Sequence, residues 1–193
     1  MNFDWLADLL KPFLAQPGGV GAGISVPVTT TFSAAIPQRP PAIPHPSPNF
    51  KSAPGRRPTC VVIHATATEE LTSPLTWLCA PKSKVSAHYL IDKNGMVYKL
   101  VHEEDVAWHA GVSFWQGRSG VNAFSIGIEL VNRNDGVDPY PEPQQAACAQ
   151  LTRAICAEYG IAPHDVIGHR DVAPGRKNDP LGLDLYEFRQ RLA

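Results

Sequence analysis

Two short apolar runs, each closed by a histidine, constrain this chain more than any other feature. Cys60-Val61-Val62-Ile63 leads into His64, and Val166-Ile167-Gly168 leads into His169. Short runs centred on β-branched residues and bounded by turn residues read as buried strands. A sheet is therefore required, and it brings two imidazoles from distant parts of the chain to one edge.

Other segments fill in the sheet and its covering helices. Ala87 to Ile91 and Met96 to Val101 flank Asp92-Lys93-Asn94-Gly95, a hairpin with glycine where a positive φ is wanted. Ser125 to Val131 alternates, with Ile126, Ile128 and Leu130 on one face and Ser125, Gly127, Glu129 and Val131 on the other. Ser73-Pro74 supplies an N-cap and first-turn proline for a helix through about Cys79. Pro143 starts a helix with core face Ala147, Leu151, Ile155 and Tyr159, which Gly160 stops. Asp184 caps a last helix carrying Leu185, Phe188 and Leu192. Strands and helices in this mixture predict an α/β fold, a central mixed β-sheet flanked by helices.

The chemistry-bearing residues gather around the two histidines. Asp179 lies ten residues after His169 in a loop stiffened by Pro174, Gly175 and Pro180. Two histidines and one carboxylate form a ligand set for a catalytic zinc, with the fourth position open to water. Asp171 competes as the carboxylate, or as an outer hydrogen-bond partner of a ligand. Glu129 is an acid inside an apolar strand, where an unpartnered carboxylate is costly. It reads either as a general base with a raised pKa or as the partner of a histidine or of Arg118. Lys177 is placed to face a developing oxyanion, or is simply solvated. Trp108 and His109, beside the small pair Ala110-Gly111, read as a groove wall for a sugar or peptide, with His109 an alternative ligand. His88 reads as a hydrogen-bonded strand histidine, and His45, His102 and His164 as surface residues.

The formal net charge of −1 gives no electrostatic argument for nucleic acid or an anionic membrane. The four cysteines, Cys60, Cys79, Cys148 and Cys156, form no CxxC pair and read as reduced core residues, with Cys148 and Cys156 facing the core from one helix. No apolar run approaches the roughly 20 residues of a membrane span. Trp5, Leu6, Leu9, Leu10, Phe13 and Leu14 form the stripe of a short helix that Pro12 kinks or ends, and residues 3–14 read as a contact for a partner or a second copy. Asp4 and Asp8 stand where a secretory leader carries positive charge, so synthesis without a leader is expected. Residues 37–58 are proline-rich and extended. The expected division is an extension over residues 1–44 and a catalytic domain over 45–193.

Ser47-Pro48-Asn49-Phe50, Val61-Val62-Ile63-His64, Ser86-Ala87-His88-Tyr89-Leu90-Ile91, Ala107-Trp108-His109-Ala110-Gly111, Ser125-Ile126-Gly127-Ile128-Glu129-Leu130 and Gly168-His169-Arg170-Asp171-Val172-Ala173-Pro174-Gly175-Arg176-Lys177 follow in one order. In that order they resemble the zinc-dependent N-acetylmuramoyl-L-alanine amidases of the type 2 family, which includes cell-wall recycling and periplasmic amidases, phage endolysins and peptidoglycan recognition proteins. The resemblance implies one zinc per chain held by His64, His169 and Asp179. It implies Glu129 as acid/base and Lys177 as oxyanion stabiliser. Trp108, His109 and Asn122 are expected as substrate contacts. The expected bond is the amide between N-acetylmuramic acid and L-alanine in peptidoglycan or muropeptides. The expected setting is recycling in the cytoplasm or, for a lysin, the cell wall after release. The alternative is a non-catalytic muropeptide-binding module. A peptidase on the same ligands is disfavoured, since the chain lacks HExxH. Asn122-Ala123 and Leu181-Gly182 depart from the usual pattern near the groove rim and leave the ligands untouched.

Overall fold

The computed structural model describes residues 37–192; the stripe over residues 3–14 lies outside the described residues. Among those described, the elements run β1 (Ala42–Pro44), β2 (Phe50–Lys51), β3 (Cys60–Ala65), α1 (Thr72–Cys79), β4 (Tyr89–Ile91), β5 (Val97–Lys99), β6 (Val106–Ala107), β7 (Phe114–Trp115), β8 (Arg118–Ser119), β9 (Ser125–Leu130), α2 (Glu142–Tyr159), β10 (Val166–Gly168), α3 (His169–Val172) and α4 (Leu185–Gln190). No helix among these residues is long and apolar enough to cross a membrane.

Six strands form one mixed sheet in the order β1-β5-β4-β9-β3-β10. Only β4 and β5 pair antiparallel; they are the expected hairpin, with Gly95 at φ 86°. The neighbours β4, β9, β3 and β10 are all parallel. The sheet also takes in Ala42–Pro44, which pairs with Val97–Lys99. These three residues were expected in the linker, and their pairing moves the start of the folded part upstream of residue 45. Arg39 reaches further, bonding Glu103 and Glu158.

Side-chain alternation divides the sheet into two faces. Val61, Ile63, Ile126, Ile128 and Leu130 pack against Cys148, Leu151 and Ile155 of α2 and against Leu185 and Phe188 at α4. Cys60 and Val62 point the other way, onto Val121, Phe124 and Ile167. Leu90 and Val131 meet Leu78 at the end of α1. Burial on both faces explains why the central strands are almost wholly apolar.

Two helices differ from expectation, one in its start and one in its buried face. α1 begins at Thr72 with Leu71 at its N-cap, so Ser73 is inside the helix and caps nothing. Pro74 is still tolerated, because a first-turn N–H has no intrahelical partner to lose. The buried face of α2 runs through Gln144, Cys148, Leu151, Thr152 and Ile155, rotated from the expected stripe; Ala147, Cys156 and Tyr159 are only partly buried against the core. Gln144 is fully buried because its Nε2 donates to Ile91 O and Val131 O, both at 3.0 Å. The four cysteines are free, with Cys60 and Cys148 buried.

Candidate metal centre and active-site cleft

Three adjacent parallel strands set the site. His64 is the penultimate residue of β3, Glu129 the penultimate residue of β9, and the two are register partners. His169 follows directly on β10. All three therefore leave the sheet at its carboxyl edge, where ligands bind in open parallel sheets. Asp179 reaches the same point from the loop after α3. Arg170 N donates to Asp179 O at 2.9 Å, and the Arg170 guanidinium donates to Pro180 O at 2.6 Å, so the loop is tied back to the helix start.

His64 Nδ1 and His169 Nδ1 lie 3.0 Å apart. Asp179 Oδ2 is 3.1 Å from His169 Nδ1 and 3.3 Å from His64 Nδ1. Bonds of about 2.0 Å in a tetrahedron place ligand atoms about 3.3 Å apart, so the three donors have the spacing of one metal's ligands. All three residues are buried, and they are the only such group of His, Cys, Asp and Glu found among the described residues. The fourth face is open to a cleft of about 560 Å³ whose lining includes Trp77, Trp108, His109, Glu129 and Lys177.

The electrostatics suit a cation. Burial lowers the His64 pKa to about 4, against the opposing pull of Asp179, so the imidazole stays neutral and able to donate a lone pair. Burial alone would raise Asp179, but the close approach of the His169 and His64 rings outweighs it and holds the carboxyl well below its usual range. Glu129 is pushed up to about 8, first by burial and then by the charge of Asp179, with Lys177 opposing. Its Oε2 is buried and has no hydrogen-bond partner.

The remaining candidates sort by contact. Trp108 lines the cleft. Lys177 is exposed along the same cleft. His109 also lines it, but both ring nitrogens are engaged within the protein: Nδ1 is 3.0 Å from His64 Nε2, and Nε2 is 3.1 Å from Ser125 Oγ. It is neither in the His64–His169–Asp179 group nor a free polar contact. Asn122, expected at the substrate, does not line the cleft. Its Oδ1 accepts from His109 N at 3.1 Å and from Ala110 N at 2.7 Å, so it braces the backbone behind the wall. Asp171 does not join that group, because its Oδ2 accepts from Gly168 N at 2.8 Å and caps α3. Arg118 is not the partner of Glu129; its guanidinium sits 3.8 Å from the centroid of the Phe124 ring. His88 is a buried strand histidine whose Nδ1 accepts from Gly127 N at 2.9 Å. His45, His102 and His164 are exposed.

Sequence reasoning missed Ser125, Gly127 and Arg176. A Cβ on Gly127 would lie 2.5 Å from Cγ of His109, so the bare strand position makes room for that ring. A glycine inside a strand is itself a signal of such close approach. Arg176 donates to Ala110 O at 2.6 Å and to Val112 O at 2.7 Å, holding the strap that carries His109.

Residues 54–182 match the family described as N-acetylmuramoyl-L-alanine amidase. The chain is 41% identical over 134 residues to the N-acetylmuramoyl-L-alanine amidase AmiD of Escherichia coli (strain K12), covering 62% of this chain and 48% of that protein. It is 44% identical over 98 residues to the 1,6-anhydro-N-acetylmuramyl-L-alanine amidase AmpD of Haemophilus influenzae, covering 50% of this chain and 52% of that protein. The chain thus spans about half the length of the curated relatives it matches. Among solved structures, AmiD from E. coli in complex with anhydro-N-acetylmuramic acid-L-Ala-D-gamma-Glu-L-Lys superposes with a TM-score of 0.62 at 35% identity, covering 75% of this chain and 58% of that one.

Proposed function

The chain belongs to the N-acetylmuramoyl-L-alanine amidase family, and we propose that it hydrolyses the amide joining the lactyl group of N-acetylmuramic acid to L-alanine, acting on soluble anhydro-muropeptides with one zinc ion at His64, His169 and Asp179. The observation that carries this reading is the triangle of donor atoms beside a cleft that also holds Glu129 and Lys177. The preference for anhydro-muropeptides follows from the substrate named for AmpD and from the molecule bound to AmiD. A module that only held muropeptide would have no use for a carboxylate poised to exchange protons beside a complete ligand set. A cytoplasmic recycling role suits soluble fragments; release of peptide from intact wall would point to a lysin.

Zinc held at this site supplies Lewis acidity, polarising the scissile carbonyl and making water easier to deprotonate. The protein does the rest. Glu129 accepts a proton from the attacking water as its oxygen bonds to the carbonyl carbon. It then delivers that proton to the departing nitrogen as the C–N bond breaks. A pKa raised by burial suits both steps, and a divalent cation nearby would draw it down toward neutrality. The Lys177 ammonium faces the negative charge that grows on the carbonyl oxygen. Trp108 offers an aromatic wall for the bound fragment. The products are a free lactyl carboxylate on the sugar and an intact stem peptide with a free amine.

The test is product identification by mass, with zinc present and after chelation, on soluble anhydro-muropeptides and on intact sacculi. Zinc-dependent release of intact stem peptide is expected from the soluble fragments. Shortened peptides would mean a peptidase, and binding without cleavage would mean a recognition module.

A further inference from the structure

We propose that His109 is a positioning residue that sets the tautomer of the metal ligand His64, by relaying to it the polarity of a main-chain carbonyl. The inference rests on the metal-site reading above.

The relay starts at Val121 O, which can only accept. The Ser125 hydroxyl lies 2.7 Å from it and so points its one proton there. Ser125 Oγ then presents only lone pairs to His109 Nε2 at 3.1 Å, so that nitrogen carries the hydrogen. A neutral imidazole has one N–H, and His109 Nδ1 is thereby an acceptor. It faces His64 Nε2 at 3.0 Å, which must carry the hydrogen of its own ring. His64 Nδ1 is left with a bare lone pair aimed at the metal position. His169 reaches the same state in one step, because its Nε2 lies 3.2 Å from Ala110 O, another atom that can only accept.

One dipeptide therefore orders both ligand histidines, His109 by its ring and Ala110 by its carbonyl. Its placement is over-determined. Asn122 Oδ1 accepts both of its amides, and Gly127 leaves the space that the His109 ring fills. The outcome is three lone-pair atoms 3.0, 3.1 and 3.3 Å apart with no hydrogen among them. Such a cluster repels itself until a cation enters. Fixing ligand tautomers in advance removes the rearrangement that metal binding would otherwise require.

The experiment uses the full chain and two readouts that need no substrate. Zinc affinity, measured by competition with a chromophoric chelator, should fall about 10- to 100-fold in His109→Ala, the usual loss for an outer partner of a ligand histidine. Ser125→Ala, which removes one atom and spares the packing, should shift affinity the same way. His109→Asn, whose Oδ1 can take the place of Nδ1 as acceptor, should recover much of it. Nitrogen-15 shifts of the unsubstituted zinc-loaded protein should show His64 and His109 both protonated at Nε2. A His109 ring protonated at Nδ1 would overturn the relay, as would Ala and Asn variants that bind zinc like the parent. A parent that binds no zinc would overturn the site reading and the relay together.

Discussion

At Glu129 the fold keeps a carboxyl group in surroundings that resist its ionisation, with Oε2 buried and unpartnered. Glu129→Gln should retain zinc and lower kcat by roughly 10²- to 10⁴-fold, the size of a general-base contribution, measured by steady-state turnover beside metal content. The same residue makes the metal-free fold pH-sensitive. Its folded pKa of about 8 stands above the ordinary carboxyl value of 4.5, so between those values the unfolded chain binds fewer protons than the folded one. Stability from this group is then lost as pH rises from about 4.5 and levels off above about 8. Chelated Glu129→Gln should lack that loss, and melting temperatures of the two proteins should diverge over this window. That His64, His169 and Asp179 come together was legible because each follows an apolar strand run or sits in a proline-braced loop. The roles of His109 and Asn122 were not. Their partners lie on other elements, and nothing in Ala107-Trp108-His109-Ala110-Gly111 distinguishes a groove wall from a brace behind it.

Among the elements, β9 carries most of the design. Its outer-face residues Ile126, Ile128 and Leu130 build the core under α2, while Ser125, Gly127 and Glu129 serve the site. That alternation was readable from period two alone. The rotation of α2 was not, because it depends on Gln144, a polar side chain that joins the core by donating to β4 at Ile91 O and, just past β9, to Val131 O. Gln144→Ala leaves both bonds unmade and should destabilise the protein by about 1–3 kcal/mol, read from urea unfolding. The strands β1, β2, β6, β7 and β8 are two or three residues long. Runs so short hold no periodic signal, and their pairing is set by neighbours far along the chain.

Across the whole described molecule, strands distant in sequence meet along one parallel edge, and the chain upstream of residue 45 completes the opposite side of the sheet. A chain starting at Pro37 should therefore keep zinc binding and hydrolysis of soluble fragments. One starting at His45 should melt at a lower temperature, having lost the Ala42–Pro44 pairing and the bonds from Arg39 to Glu103 and Glu158. Thermal melts of the two truncations beside the full chain decide this, and equal melting would remove residues 37–44 from the folding unit. The α/β class followed from the mixture of apolar periods, whereas the boundary at residue 44 was misplaced because proline-rich composition looks the same in a linker and in an edge strand. One further consequence concerns what mutation can reach. The two groups that orient the ligand histidines, the carbonyls of Ala110 and Val121, belong to the backbone and are shared by every amino acid. Substitution can break the path that leads from them, but it cannot reverse their sign. The direction of proton order at this site is thus a property of the chain's course through space, inherited with the fold rather than spelled by any one side chain.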